Sequence, residues 1–220
     1  MKQEEHKQEQ VCKAPGICFE EADQDVKFAE NLNDRAQAAM SKKEVAIAKG
    51  LFESADRLLK KTAGKGRDLA QLRLGCNYSN FLIEAGQYKK AKKVAENALC
   101  LSKSSLDKYD NYIRLYNAVA LCNKADACTR LNELAEAGQS YDESVVEISR
   151  IQELSFERDL DLCVAILNEA KVFHQKQGNA ESADTLAQLT EKFKGYFVFY
   201  EFQKAGFRKE LYDRCGGELH

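Results

Sequence analysis

Residues 74–101 read LGCNYSNFLIEAGQYKKAKKVAENALCL and decide the fold of this chain. Leu74, Tyr78 and Phe81 fall on one stripe of a helix with 3.6 residues per turn. Gly86 follows that stripe and supplies a residue that ends a helix in the left-handed conformation without strain. A second helix begins near Lys89, and small residues on its inner side let two helix axes approach closely, at Ala91, Ala95 and Ala98. The stretch therefore predicts an antiparallel helical hairpin.

Glycines at comparable points along the chain indicate that this hairpin is repeated. Each glycine closes an apolar stretch of helical periodicity, and the four are Gly50, Gly86, Gly138 and Gly178. Alanine follows five residues after three of them, at Ala55, Ala91 and Ala183. The intervals of 36, 52 and 40 residues are unequal, which predicts a degenerate array whose third first-helix extends over residues 106–137.

Such a hairpin cannot bury its apolar stripe alone, so repeated hairpins must stack on their neighbours. The chain has one proline and no tryptophan, and it contains no run of alternating β-branched residues, which favours helices over strands. We therefore predict an all-α solenoid of about four antiparallel helical hairpins. The alternative is that the four glycines recur by accident.

The best-formed hairpin resembles the tetratricopeptide repeat. The residues that carry the resemblance are Leu74-Gly75, Tyr78, Gly86-Gln87-Tyr88, Ala91 and Ala98-Leu99. Its first helix is about one turn longer than the 34-residue consensus of that family allows. The resemblance implies a TPR-like α-solenoid, and the peptide-clamping members of the family grip the tails of their partners with Asn, Lys and Arg side chains.

A longer stretch, residues 64–194, is similar to the amyloid precursor protein-binding protein 2 family of repeat adaptors. The carriers are FLIEAGQYKKAKKVAENALCL and the aromatic-rich residues 109–128 that follow it. That resemblance implies a scaffold of the kinesin-light-chain type, which binds cargo or recruits substrates to a cullin ubiquitin ligase.

Composition divides the chain into three parts. Residues 1–24 are polar and contain the only proline, so we predict a flexible leader with a helix that starts near Asp23 or Asp25. Residues 25–194 form the predicted repeat array. Residues 195–220 are rich in aromatic side chains, and we predict a terminal helix that caps the apolar end of the stack, followed by a short tail. The alternative is that this aromatic segment binds a partner or a second copy of the chain.

The cysteines and the N-terminal residues favour a cytoplasmic protein. Five of the eight cysteines fall inside helical apolar stripes, which predicts buried free thiols, at Cys76, Cys100, Cys122, Cys128 and Cys163. The chain opens MKQEEHKQEQ, so no hydrophobic signal segment is recognisable and we expect no membrane association. Cys12, Cys18 and His6 match no established zinc-binding spacing, and we expect no metal or cofactor.

Charge is distributed unevenly along the sequence. Residues 42–108 contain 15 Lys and Arg against 7 Asp and Glu, whereas residues 109–220 contain 13 against 19. A basic field of this kind attracts an acidic or phosphorylated peptide, although a solvated helix face is an equally simple interpretation. The acidic total and the lack of basic residues interleaved with aromatic ones argue against nucleic-acid binding.

Polar residues on three predicted first helices are the candidates for a peptide-binding site in the concave groove. The set consists of Arg73, Asn77 and Asn80; Arg114, Asn117 and Lys124; and Asn168 and Lys171. Asparagine amides pair with a peptide backbone, and Arg or Lys pairs with a carboxylate such as that of a C-terminal tail. The alternative is that they only solvate the groove or cap neighbouring helices. Tyr109, Tyr112 and Tyr116 are predicted to lie in the core rather than in the groove.

Catalytic motifs are not recognisable in the sequence. His6 and His220 lie in the tails and His174 lies alone, without a Walker loop, a nucleophile elbow or a paired set of cysteine ligands. We therefore predict a non-catalytic adaptor or scaffold that binds a short peptide or tail of a partner protein. The alternatives are a scaffold that self-associates through its aromatic C-terminus, with a homo-oligomer as the result, and a substrate-recruiting subunit of a cullin ubiquitin ligase.

Overall fold

The computed structural model describes the backbone of residues 16–63, 65–105, 111–151 and 157–195. Side chains are described within these ranges except at residues 16–23, 65, 103–105 and 157–158. The described residues form helices joined by short turns and contain no strand, which confirms the predicted all-α fold. The helices are α1 (Gly16–Ser41), α2 (Val45–Leu59), α3 (Lys65–Glu84), α4 (Tyr88–Ser105), α5 (Asn111–Arg130), α6 (Leu134–Ser149), α7 (Glu157–Lys176) and α8 (180–195).

Consecutive helices pair into hairpins, and the hairpins stack in chain order. α1 packs on α2, α3 on α4 and α5 on α6, and α8 follows α7 after a three-residue turn. The first helices contact one another in the order α1, α3, α5, α7, and each of α2, α4 and α6 contacts the first helix of the next hairpin. The described chain is therefore an array with one layer of first helices and one layer of second helices, as a helical-repeat solenoid requires.

Each hairpin turn has three residues, and its middle residue adopts a positive φ. We call this middle residue the turn residue; the four are Lys43 (φ 61°), Gly86 (71°), Asn132 (62°) and Gly178 (76°). Two hydrogen bonds close the second turn: the Gly86 N–H donates to the Ile83 carbonyl at 2.9 Å, and the Gln87 N–H donates to the Leu82 carbonyl at 2.8 Å. The same pair of bonds recurs at the other three turns, so each first helix ends in a Schellman motif.

Two of the four predicted turns are wrong. Gly50 and Gly138 lie inside α2 and α6, and the turns occur instead at Lys43 and Asn132. The turn residues are separated by 43, 46 and 46 residues, so the array is nearly regular and the long third first-helix does not exist. The prediction relied on glycine, but asparagine also adopts the left-handed conformation, and a lysine does so where the hydrogen bonds of the motif compensate.

Small buried residues mark the repeat better than glycine does. Alanine lies five residues after every turn residue, at Ala48, Ala91, Ala137 and Ala183, and all four are buried. A second small residue lies twelve residues after each turn residue. These residues are Ala55, Ala98, Ser144 and Thr190, and they are buried as well. A Cβ atom added to Gly75 would lie 2.7 Å from the Cβ of Ala98, so α3 and α4 cross at a contact that only glycine permits.

Aromatic side chains fill the first and third junctions between hairpins. Phe52 on α2 packs against Phe81 on α3 with 5.4 Å between ring centroids, and Tyr141 on α6 packs against Phe173 on α7 at 5.0 Å. Both pairs join the residue nine positions after one turn residue to the residue five positions before the next. The equivalent residues at the middle junction are Ala95 and Ala127, which are both buried.

The ends of the array differ in part from the prediction. α1 begins at Gly16, earlier than the predicted start near Asp23 or Asp25, and the sequence signal that was overlooked is Pro15, a residue that suits the first turn of a helix. Residues 1–15 and 196–220 lie outside the described residues, and with them most of the predicted leader and cap. In the described part of the chain, none of the helices combines the length and the apolar character that crossing a membrane requires.

Candidate functional site

The surface of the first helices that points away from the second helices is the natural place for a ligand, and we call it the inner face. It consists of the residues thirteen, nine, six and two positions before each turn residue, and none of these is buried. They are Glu30, Asp34, Gln37 and Ser41 on α1; Arg73, Asn77, Asn80 and Glu84 on α3; Val119, Asn123, Asp126 and Arg130 on α5; and Ala165, Glu169, Val172 and Lys176 on α7.

A polar cavity of about 290 Å³ opens on the inner face between α1 and α3. Its lining residues are Gln37, Met40, Ser41, Asn77, Asn80 and Glu84. The Asn77 amide donates to the Asn33 Oδ1 atom on α1 at 3.2 Å, and the Asn80 amide donates to the Glu84 Oε1 atom at 3.3 Å. Two of the predicted peptide-binding residues therefore lie side by side where they were expected.

Arg73 also lies on the inner face, but its charge is already paired. Its guanidinium donates to the Asp34 Oδ1 atom at 2.9 Å and lies 3.8 Å from a carboxylate oxygen of Glu30. Both partners belong to α1, so Arg73 joins the first two hairpins. A peptide carboxylate would have to displace these interactions before Arg73 could bind it.

The three predicted residues of α5 do not face the groove, and that part of the prediction is wrong. Arg114 lies 3.7 Å from Glu147 on α6, and Lys124 lies 2.9 Å from Glu136 on α6. Asn117 lines an outer cavity of about 540 Å³ between α4, α5 and α6. These residues were chosen because they are polar and share one side of the predicted helix, and the ion pairs show that this side faces α6.

Asn123 is the inner-face residue of α5 that the sequence interpretation missed. Its amide donates to the Cys76 carbonyl at 2.8 Å and to the Ser79 hydroxyl at 2.9 Å, both on α3. It lies nine residues before its turn residue, as Asn77 does, and the alanine five residues after the turn would have revealed this register.

Two tyrosines extend the inner stripe of α5 toward its N-terminus. Tyr116 lies one turn before position 119 and is partly buried, and Tyr112 lies one turn further and is exposed. Tyr112 was predicted to lie in the core, and this prediction is wrong because its side chain is exposed at the surface. Tyr109, the third of the set, lies outside the described residues.

Asn168 and Lys171 lie on a different face of α7, which is the first helix of the last hairpin. The equivalent residues ten and seven positions before the other turn residues are buried against the next first helix, at Asn33 and Ala36, Cys76 and Ser79, and Cys122 and Ala125. On α7, no first helix follows within the described residues, so Asn168 is exposed and Lys171 partly exposed. They belong to the end of the described array and not to its groove.

Carboxylates outnumber cations on the inner face. The acidic residues are Glu30, Asp34, Glu84, Asp126 and Glu169, and the basic ones are Arg73, Arg130 and Lys176. Arg130 is itself 3.4 Å from Asp126. The basic excess of the first half of the chain lies largely elsewhere, on second helices and turns, at Lys42, Lys43, Lys49, Lys60, Lys89 and Lys93. The inner face therefore offers little net positive charge to an acidic ligand.

An ion-pair network joins α4, α5 and α6 on the outer side. The Lys92 Nζ atom lies 2.7 Å from Glu133 and 2.6 Å from Glu136, which raises the pKa of Lys92 and lowers the pKa of both carboxyls. Ligand atoms of Cys128, Glu133 and Glu136 lie close enough together to hold a cation. The Lys92 ammonium already fills that position, and burial raises the pKa of Cys128 to about 11, so its thiol is neutral.

Three other buried thiols, those of Cys76, Cys122 and Cys163, are inert for the same reason. Cys76, Cys122, Cys128 and Cys163 are buried as predicted, whereas Cys100 is exposed, contrary to the prediction. Burial raises the pKa of Cys76 to about 12 and that of Cys163 to about 12. Burial and the neighbouring Glu169 carboxylate raise the pKa of Cys122, whose Sγ atom donates to Glu169 at 2.9 Å. Neutral thiols are poor nucleophiles and poor metal ligands.

In comparisons with known proteins, no protein-family model matches the chain and no curated protein matches it.

Proposed function

We propose that this protein is a non-catalytic adaptor that binds an extended peptide segment of a partner along its inner face. The observation that carries the proposal is the set of asparagine amides on the inner face: Asn77 and Asn80 line the polar cavity on α3, and Asn123 takes the position of Asn77 on α5. An amide side chain has two donor hydrogens and one acceptor oxygen, so it can bond a neighbouring helix and a peptide backbone at the same time.

The ligand that fits this face is neutral or basic and carries an apolar anchor. Carboxylates exceed cations along the inner face, and the cations are engaged in ion pairs at Arg73 and Arg130. Leu69, one turn before Arg73, and Tyr112 are both exposed at the N-terminal ends of their helices. They offer apolar contact beside the amides, where a peptide side chain would lose water-accessible surface.

Peptide selection with the full chain as bait tests the proposal. A random peptide display library is enriched on the wild-type protein, and the affinity of selected peptides is then measured by fluorescence anisotropy. The test variant is Asn80→Ala with Tyr112→Ala, because both side chains are exposed and their loss leaves the core intact. We expect this variant to bind at least about tenfold more weakly, because it loses one amide contact and one aromatic contact of the inner face.

A matched control changes the same residue classes on the outer side. Asn97→Ala with Leu134→Ala also removes one exposed amide and one exposed apolar side chain, on α4 and α6. We expect this control to bind within about twofold of wild type. Equal losses in both variants, or a loss only in the control, would place the binding surface on the second helices.

Cargo binding and recruitment to a cullin ubiquitin ligase rest on the family resemblances alone. Both would use a peptide-binding groove of this kind, so the same variants would affect them.

A further inference from the structure

The first hairpin exposes a face that is covered in every later hairpin, because there the preceding hairpin packs on it. This face consists of the residues fifteen, twelve, eight and five positions before the turn residue, and on α3, α5 and α7 none of these is exposed. On α1 the same positions are all exposed, at Phe28, Asn31, Arg35 and Ala38. Phe28 is 56% exposed, and Ile47 on α2 is 55% exposed. We call Phe28, Arg35, Ala38 and Ile47 the leading edge.

The opposite end of the described array does not match the leading edge. There α7 presents Asn168, Lys171 and Gln175, which are polar and solvent-accessible. A polar outer face is what a terminal repeat needs for solubility. Stacking of one copy's α7 and α8 on another copy's leading edge would bury these polar groups against Phe28. Within the described residues, the last hairpin therefore ends in a polar face, whereas the first hairpin exposes the apolar side chains of Phe28 and Ile47.

The covered junctions show which kind of side chains fill this face. The residue nine positions after a turn residue is aromatic at two of three junctions, and the next residue is always acidic, in Phe52-Glu53, Ala95-Glu96 and Tyr141-Asp142. The acidic residue reaches a cationic or imidazole group of the following hairpin: Glu53 lies 3.7 Å from Lys90, Glu96 lies 3.8 Å from Lys124, and Asp142 lies 3.0 Å from His174.

The leading edge has the counterpart of one of these contacts. Arg35 lies eight residues before Lys43, the position that Lys124 occupies in the third hairpin. It is exposed, whereas Lys124 pairs with Glu96 of the preceding hairpin. An occupant of the leading edge should therefore place an aromatic side chain near Ala38, five residues before Lys43, with a carboxylate next to it that reaches Arg35.

We propose that the leading edge binds residues 196–220 of a second copy of this chain. That segment contains the dipeptide Tyr200-Glu201, which repeats the aromatic-acidic order of Phe52-Glu53 and Tyr141-Asp142. It also contains Phe197, Phe199 and Phe202, which supply the apolar area that the leading edge leaves exposed. Tyr200 lies five residues after Gly195, a reach of at most about 18 Å. Three interhelix spacings of about 8–10 Å separate α1 from α7, so the leading edge that Tyr200-Glu201 covers belongs to another copy. This interaction is separate from the inner face.

Photocrosslinking of the full chain tests the proposal directly. p-Benzoylphenylalanine is incorporated in place of Phe28, and equal amounts of ¹⁴N- and ¹⁵N-labelled protein are mixed, irradiated and analysed by mass spectrometry. We expect crosslinks to residues 196–220, and we expect them between light and heavy chains. The same probe in place of Leu134, an exposed residue of α6, is the control and should not label this segment. Crosslinks within one copy, to residues 1–23, or to another surface would overturn the proposal.

A charge exchange tests the Arg35 contact separately. Sedimentation velocity over a concentration series should show self-association of the wild-type chain, weakened at least about tenfold by Arg35→Glu. Adding Glu201→Arg to the Arg35→Glu variant should restore self-association. The matched control, Arg57→Glu on the exposed side of α2, should leave association unchanged. A wild-type chain that stays monomeric, or a double variant that is not restored, contradicts the proposal.

Discussion

Asn132 and Lys43 hold a backbone conformation that glycine holds at the other two turns. A side chain in the left-handed region costs about 1 kcal/mol relative to glycine, and asparagine bears less of that cost than lysine. The four turns nevertheless share the same hydrogen bonds, because those bonds satisfy carbonyl groups at the helix end. Glycine is therefore neither a necessary nor a sufficient sign of a turn in this chain, since Gly50 and Gly138 lie inside helices.

Replacement of the strained turn residues should stabilise the protein. We expect Lys43→Gly to raise the free energy of unfolding by about 1 kcal/mol and Asn132→Gly by about half of that. Urea denaturation followed by circular dichroism measures both. Gly86→Ala is the reverse control and should lower the free energy of unfolding by a similar amount, since its φ is 71°. Destabilisation by Lys43→Gly would mean that the lysine side chain stabilises the turn in another way.

Gly75 and Gly50 give a matched pair of alanine substitutions inside helices. A Cβ at position 75 would lie 2.7 Å from the Cβ of Ala98, whereas a Cβ at position 50 would meet no atom within 4 Å. We expect Gly75→Ala to lower the free energy of unfolding by about 1–3 kcal/mol through overpacking. Gly50→Ala should raise it by about 0.5–1 kcal/mol, because alanine is the better helix former. Equal effects at the two positions would show that α3 and α4 can separate without loss.

At the scale of elements, the accuracy of the prediction depended on the register of each helix. The second hairpin was predicted closely, with α3 ending at Glu84 and α4 starting at Tyr88, and its Asn77 and Asn80 lie where they were expected. The third hairpin was predicted as helical, but its turn was misplaced, and Arg114 was assigned to the wrong face. Apolar periodicity alone could not correct this, because α5 is covered on several sides and buries residues around most of its circumference.

The Lys92 ion pairs should make the link between α4 and α6 depend on pH. The pKa of Glu133 and Glu136 is lowered by Lys92, so the network stabilises the fold above the ordinary carboxyl pKa and loses this effect as pH falls through the lowered values. We expect Lys92→Met to be less stable than wild type at neutral pH, and the difference to shrink as pH falls from about 6 to about 3. Thermal melts of both proteins across this range measure it.

The control for this experiment is Lys89→Met, which removes an exposed lysine of the same helix. Its difference from wild type should stay small and nearly constant with pH. Added salt should reduce the Lys92→Met difference as well, because the carboxylate partners are solvent-accessible. A Lys92→Met difference that persists at acidic pH would show that the lysine acts by packing its methylene groups rather than by charge.

For the whole molecule, local contacts decide stability. Each hairpin contacts only its neighbours in the described array, so the two inner hairpins are covered on both sides and the outer two on one side. The sequence predicted the number of hairpins and their order, because repetition is visible in apolar spacing. The sequence could not show which end of the array exposes apolar side chains. That comparison needs the register of each helix, because Phe28 and Cys163 are equivalent only in that both lie fifteen residues before a turn residue.

Hydrogen exchange should therefore proceed from the ends of the array toward the middle. We expect the amides of α3, α4 and α5 to exchange slowest, and those of α1, α7 and α8 to exchange faster by at least tenfold, because opening an end hairpin exposes one junction rather than two. Mass-spectrometric exchange at low protein concentration measures this profile. If residues 196–220 of a second copy cover the leading edge, protection of α1 should rise with concentration and should not rise in Phe28→Asp. Uniform exchange across all helices at every concentration would instead show that the four hairpins unfold as one cooperative unit.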